Sequence, residues 1–227
     1  MQTESLTFYT HPMSRGRVSR WMLEETGLPY EEVLLDYGST MKSPEYLAIN
    51  PMGKVPALRH GDVTITENAA ICTHLADLVP EKALLPQPGS ALRGLCYRWL
   101  FFAAGPVESF LTARKYGPVA PTAEAGYGNE ADLLRTLEQA VAGKTYLVGG
   151  GFTVADLYLA SMMGFYMRFG MLECRAAFED YVRPHQQRPA ALRAAARDDA
   201  LMAAHPHPAA AAAAAAATAK TTATAAP

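Results

Sequence analysis

Leu84-Leu85-Pro86-Gln87-Pro88-Gly89 is the break that divides this chain into two kinds of sequence. Two prolines and a glycine within four residues end a helix or a strand and read as a linker. Upstream, short β-rich runs alternate with helical stretches. Strands are predicted over 6–9, 30–35, 55–59 and 63–65, and helices over 14–26, 44–49 and 67–78. Gly27 closes the first of these helices, and Gly61-Asp62 between the last two strands is a hairpin signal. Downstream the apolar spacing becomes that of a helix. Val154, Leu157, Tyr158, Ser161, Met162, Phe165, Tyr166 and Phe169 recur at i, i+3, i+4 and i+7, which puts them on one face. Further helices are predicted over 92–111, 131–141, 175–187 and 189–202. A mixed α/β domain, residues 1–83, thus precedes an all-helical domain, residues 84–204. Residues 205–227 are mostly alanine, threonine and proline, offer almost no apolar area to bury, and read as a mobile tail.

Composition narrows the function. The 227 residues carry a formal net charge of −2, so there is no basic field to hold a phosphate backbone; a small molecule is the expected partner, not nucleic acid. The three cysteines, Cys72, Cys96 and Cys174, are too far apart in sequence for a zinc cluster or a Cys-x-x-Cys pair, and they cannot form a paired framework. No metal is expected, and a reducing, cytoplasmic compartment is. Cys72 and Cys96 sit at helical apolar spacing and read as small buried hydrophobes. Residues 1–6 contain Glu4 and no positive head before an apolar run, so they do not read as a secretory signal. No stretch reaches the ~18 apolar residues of a membrane span. His205-Pro206-His207 falls in the tail and reads as incidental.

Four stretches together are similar to the glutathione S-transferase family. They are Phe8-Tyr9-Thr10-His11-Pro12-Met13-Ser14-Arg15-Gly16-Arg17, Asn50-Pro51-Met52-Gly53-Lys54-Val55-Pro56-Ala57-Leu58, Thr66-Glu67-Asn68-Ala69-Ala70-Ile71 and Phe152-Thr153-Val154-Ala155-Asp156-Leu157. They span both domains, from residue 6 to residue 202 with the elements between them. The resemblance implies a thioredoxin-like amino-terminal domain, an all-helical carboxy-terminal domain, a homodimer, glutathione as co-substrate and a hydrophobic electrophile as second substrate, in the service of detoxification.

Glutathione presents a thiol that must ionise, a peptide backbone, an ammonium with a carboxylate at one end and a second carboxylate at the other. Ser14 stands between a strand and a helix. Its hydroxyl and the positive end of that helix would favour a thiolate over a thiol of pKa ~8.5, and it matches the position used by serine- and cysteine-type members of the family. The plain alternative is a helix cap, and both roles can coexist. Tyr9 is the rival donor, since other classes use a tyrosine near the end of the first strand; otherwise it is a sheet-face aromatic. Arg17 is a weaker electrostatic candidate. In the family the bond corresponding to Val55-Pro56 is cis, which turns the valine backbone outward for the cysteinyl unit to pair with like an added strand.

Glu67 would receive the ammonium, and the helix start at Glu67-Asn68 the γ-glutamyl carboxylate. Asn68 departs from the family, which most often has serine after the acid, yet it keeps a donor and capping ability. Lys42 and Lys54 are alternatives for the glycine carboxylate. Thr153 and Asp156 form a Thr-x-x-Asp capping pattern and read as structural. Phe102, Phe110, Tyr116, Met163, Tyr166 and Met167 are open to an electrophile pocket, but such a stripe is more often core. No cysteine stands at the first helix start, which argues against exchange through a protein thiol. Conjugation of glutathione to an electrophile is the leading activity. Glutathione-dependent reduction of disulfides or peroxides, and a non-catalytic interaction module, are the alternatives.

Overall fold

The computed structural model describes residues 4–205. Strand β1 (Leu6–Thr10) is buried along its whole length. It pairs in parallel with β2 (Glu31–Leu34) and antiparallel with β3 (Ala57–His60), and β4 (Val63–Thr66) closes the sheet on β3, giving the order β2-β1-β3-β4. A parallel pair needs a crossover, and α1 (Gly16–Thr26) supplies it, ending at Gly27 in the left-handed conformation. Alternation along β1 sends Phe8 to one face and Tyr9 to the other. Phe8 and Leu58 join the main core with residues of α1 and α3 (Asn68–Asp77), whereas Tyr9, Leu35, Met41, Tyr46 and Ala57 form a second, small core with α2 (Pro44–Ile49). A sheet covered by helices on both faces in this order is the thioredoxin-like arrangement.

The second half is helical throughout, with α4 (Ala91–Phe102), a π-helical segment (Ala103–Val107), α5 (Glu108–Tyr116), α6 (Glu130–Val141), α7 (Val154–Arg168), α8 (Ala176–Gln186) and α9 (Pro189–Ala204). The single helix expected over 92–111 is therefore interrupted. Pro106 lacks an N–H and its ring disturbs the carbonyl one turn back, so the helix widens there; the Glu108 N–H reaches the Ala103 carbonyl, five residues earlier. The other predicted elements agree with the observed limits to within two residues. α7 departs from its expected single buried face, because every residue from Val154 through Ala160 is buried. It runs between α1, α3, α4 and α8, and only its far end, at Phe165, returns to solvent.

Two buried polar groups hold this half in place. Asp156 is more than the cap its spacing suggests. It accepts from the Thr153 N–H (2.9 Å) and hydroxyl (2.9 Å), and also from the Leu147 N–H (2.7 Å) and the Tyr181 hydroxyl (2.8 Å). Asp198 of α9 accepts from Arg20 Nε of α1 at 2.8 Å, and Glu32 of β2 pairs with the same guanidinium.

Among the described residues no helix is long and apolar enough to cross a membrane, and no group of three or more His, Cys, Asp or Glu is placed to hold a metal ion. Of the tail expected over 205–227, all but His205 lies outside the described residues, as do Pro206 and His207.

Asp156→Ala leaves several buried donors without an acceptor. It is expected to destabilise the chain by about 3 kcal/mol or more in urea unfolding, beyond the ~0.5–2 kcal/mol of a lost cap. Burial pushes the Asp198 carboxyl up to about 6, against the opposing pull of Arg20. Its folded value lies above the ~3.9 of an unfolded aspartate, so the folded chain takes up a proton that the unfolded chain does not. This group's contribution therefore rises as pH falls from about 6 to about 4. Urea unfolding at pH ~7 and pH ~4.5 should show the stability difference between the native chain and Asp198→Asn moving in favour of the native chain at the lower pH.

Candidate functional site

A cavity of about 220 Å³ opens between the sheet half and the helical half. Its floor begins where β1 ends. The chain turns through residues 11–15, and α1 starts at Gly16, not at Ser14 as capping preferences suggest. The Ser14 hydroxyl donates to the His11 carbonyl (2.7 Å) and accepts from the Gly16 N–H (2.9 Å), so the serine closes a turn two residues ahead of the helix. Gly16 sets how close the two elements come. A Cβ there would lie 2.1 Å from Thr10 Oγ1, so only glycine lets α1 approach β1 this closely. Arg15, at the N-cap position, lines the cavity, as does Val18 one turn on; Ser14 does not.

The loop before β3 forms a second side. The Val55-Pro56 bond is cis, as the resemblance implies, and both residues line the cavity. No hydrogen bond joins the Val55 N–H or C=O to another described residue. The Lys54 carbonyl is held by the Tyr46 hydroxyl (2.6 Å) and Asn50 Nδ2 (2.8 Å), and Asn50 Oδ1 takes the Met52 N–H (3.2 Å), which pins the loop. Of the two alternative lysines, Lys54 lines the cavity. Lys42 does not, and its ammonium donates instead to the Met52 carbonyl at 2.9 Å.

Glu67 and Asn68 complete the sheet-side wall. Glu67 occupies the N-cap of α3 with φ +68°, the left-handed region that a non-glycine residue adopts at a cost of about 1–3 kcal/mol. Its carboxylate has no hydrogen-bond or ion-pair partner among the described residues. Strain at a charged, unpaired residue beside a helix N-terminus marks a place held for a ligand. Asn68 behaves differently from its expected role of presenting a donor to a ligand. Its Oδ1 accepts from the Ser19 hydroxyl (2.6 Å) and its Nδ2 donates to the Arg15 carbonyl (3.0 Å), so its polar atoms tie α3 to α1.

The structure thus brings Lys54, Val55, Pro56, Glu67 and Asn68 together and leaves Tyr9 out. The Tyr9 ring lies on the opposite sheet face, 5.7 Å from Tyr46, in the small core. Arg17 also points away, with Nε on the Pro12 carbonyl (2.6 Å) and Nη2 on Asp199 of α9 (2.7 Å).

From the helical half come Ala104, Glu108, Tyr158 and Met162. None of the six aromatic and methionine candidates lines the cavity. Phe110, Met163 and Tyr166 are core, and Tyr116 is exposed. The thiols stay out as well: burial pushes Cys72 up to about 12 and Cys96 up to about 11, which keeps both protonated and inert. Sequence reasoning missed Arg15 and Glu108. The i, i+3 spacing of Arg15 and Val18 was a usable signal for the first.

Two family descriptions cover the two walls. "Glutathione S-transferase, N-terminal domain" matches residues 4–77, and "Glutathione S-transferase, C-terminal domain" matches residues 99–183. The chain belongs to the glutathione S-transferase family. Among curated relatives, glutathione S-transferase GST-4.5 of Xanthomonas campestris pv. campestris is 30% identical over 162 residues, which cover 68% of this chain and 79% of that protein. Among solved structures, the glutathione transferase URE2P6 from Phanerochaete chrysosporium, in complex with oxidized glutathione, has a TM-score of 0.72 and 30% identity over 87% of this chain and 98% of its own. A sphingomonad glutathione S-transferase complexed with glutathione has a TM-score of 0.70 and 29% identity, over 85% of this chain and 98% of its own. In this glutathione S-transferase the amino-terminal match holds Arg15, Val55 and Glu67, and the carboxy-terminal match holds Glu108, Tyr158 and Met162.

Asn68→Ala removes both links between the starts of α3 and α1. It is expected to lower stability by about 1–2 kcal/mol in urea unfolding.

Proposed function

We propose that this family member is a glutathione transferase, which binds glutathione in the cavity and directs its thiolate to a small electrophile. The observation that carries the reading is the coincidence of three unsatisfied features on one wall: the unpaired Val55 backbone, the unpaired Glu67 carboxylate and the N-terminus of α3. Each matches one part of the tripeptide. Val55 pairs with the cysteinyl unit in the manner of an added strand, with Pro56 shaping the bend. Glu67 receives the ammonium, and the first amides of α3 receive the neighbouring carboxylate. Asn68 acts by holding α3 against α1. Lys54 meets the glycine carboxylate, while Lys42 braces the loop at Met52.

The thiol then lies toward the start of α1. The helix dipole favours the thiolate there, and the Ser14 hydroxyl, by turning from the His11 carbonyl to the sulfur, adds a donor. The thiol proton leaves to solvent, and the thiolate attacks the electrophile held against Ala104, Tyr158 and Met162. Residues 1–83 form the glutathione-binding half and residues 84–204 the electrophile half of a cytoplasmic homodimer. One observation favours glutathione-dependent reduction as a second reading: the similar URE2P6 structure holds oxidized glutathione.

Retention on immobilised glutathione together with conjugation of a chromogenic aryl halide is the expected result. Retention with disulfide or peroxide reduction alone supports the second reading, and neither binding nor turnover in a folded chain leaves a non-catalytic module. Ser14→Ala is expected to raise the pKa of the bound thiol by about one unit, the loss of a hydrogen bond of about 1.4 kcal/mol, in an ultraviolet thiolate titration. Tyr9→Phe is expected to leave that titration unchanged. An unchanged curve in Ser14→Ala removes the serine from the chemistry.

A further inference from the structure

Away from the cavity, two titratable rings meet across the sheet–helix boundary. His60 ends β3, and His74 lies in the second half of α3. Nδ1 of His60 stands 3.0 Å from Nε2 of His74, with the ring centroids 5.1 Å apart. The His60 side chain is only 21% exposed, and His74 is half-buried. At this distance one nitrogen must carry a proton and the other a lone pair, a requirement that either neutral arrangement of the two rings meets.

Adding one proton to the pair keeps the bond. The cationic ring still donates to the lone pair of the neutral one, and the bond is then charge-assisted. Glu4, whose carboxylate lies 3.7 Å from Nε2 of His60, is placed to balance that charge. A second proton puts two N–H groups and two like charges face to face with no acceptor between them, and the bond is lost.

The surroundings do little for the doubly charged pair. Asp77 acts on His74, but its carboxylate is engaged by Arg93 Nη2 of α4 at 2.6 Å. β4 carries no titratable side chain, and Arg59 points to the other sheet face. On α1, Glu24 and Glu25 are taken by Arg193 and Arg188 of the far helical half. In the turn after α3, Lys82 donates to the Glu25 carbonyl and Glu81 is exposed. On α7, Asp156 is spent on its own helix start and on Tyr181. Burial and the neighbouring His60 hold the His74 imidazole below its ordinary value of 6.5, against the pull of Asp77.

We propose that the His60–His74 contact is a proton-operated latch, which holds the end of α3 against the sheet while the two rings share at most one added proton and releases it when each carries its own. A released end takes up the second proton more readily than a closed one, so closure is complete above pH ~6.5 and weakens as pH falls below it. The start of α3 stays tied to α1 through Asn68, so the helix opens from its far end toward the wall that carries Glu67. The latch works in this way whatever the cavity binds.

Amide hydrogen exchange of the native chain at pH ~7.5 and pH ~5, corrected for the intrinsic pH dependence of exchange, tests the proposal. Protection over residues 71–77 is expected to fall by about 10-fold at the lower pH, the effect of one proton over about one pH unit, while β1 keeps its protection. His74→Gln puts a side-chain amide where Nε2 stood, which gives His60 a partner that takes no proton. In that variant residues 71–77 are expected to be protected equally at both pH values. No loss in the native chain, an equal loss in His74→Gln, or a loss spread evenly over β1 and α9 overturns the inference. Asp198 works in the opposite sense, because its contribution rises as pH falls, so it does not produce the expected loss. If His74→Gln does not fold, His60→Asn, whose amide stands where Nδ1 did, is read in the same way.

Discussion

A guanidinium withdrawn from water has to meet its counter-charges inside the fold, and Arg20 meets them from two distant parts of the chain. Its side chain and that of Asp198 are both fully buried, and Glu32 completes the group. The three residues belong to α1, α9 and β2, so one charge cluster joins the first crossover helix to the edge of the sheet and to the last helix. Removing a single partner would strand a buried charge at a cost of about 3–5 kcal/mol. Arg188 with Glu25 (2.6 and 2.9 Å) and Arg193 with Glu24 (3.0 Å) extend the same α1–α9 contact. The far end of the helical half thus clamps the helix on which the cavity is founded.

That clamp matters because α1 contributes its start to the cavity wall. Gly16 sets the distance to β1, Asn68 fixes the start of α3 against the Arg15 carbonyl, and Arg15 itself reaches across to Glu108 and Tyr166. Two helix N-termini and one cation therefore face a common space with little freedom to drift. Catalytic gains from positioning require that rigidity.

Much of this was legible in advance. The Pro86–Pro88 break, the change of apolar period and the Val55-Pro56 and Glu67-Asn68 motifs located the two halves and most of the sheet-side wall. The rest depended on contacts that no local pattern encodes. Capping preference favours Ser14 as a helix start, but its hydroxyl closes a turn between His11 and Gly16, and the helix starts two residues on. Arg15 and Arg17 are equivalent by composition, yet one faces the cavity and the other faces Asp199. Asn68, a donor with capping ability directly after the acid at a helix start, reads as a ligand contact; its side-chain amide is instead consumed by Ser19 and Arg15. Glu108 lies 93 residues from its partner in sequence, and its direction is set by a widened turn that periodicity reads as continuous helix.

That widened turn at Ala103–Val107 has a consequence of its own. One additional residue in a helical turn rotates everything after it by ~100°, so α4 and α5 can each keep an inward apolar stripe although the two stripes are out of phase. The offset is absorbed in the few residues that hand Ala104 and Glu108 to the cavity. Glu108 answers to the cavity and to Arg15, whereas Ala104 also packs against the edge of the core. Evolution can therefore rewrite Glu108 while the framework keeps its packing, and a scaffold arranged in this way can diversify its chemistry faster than its architecture.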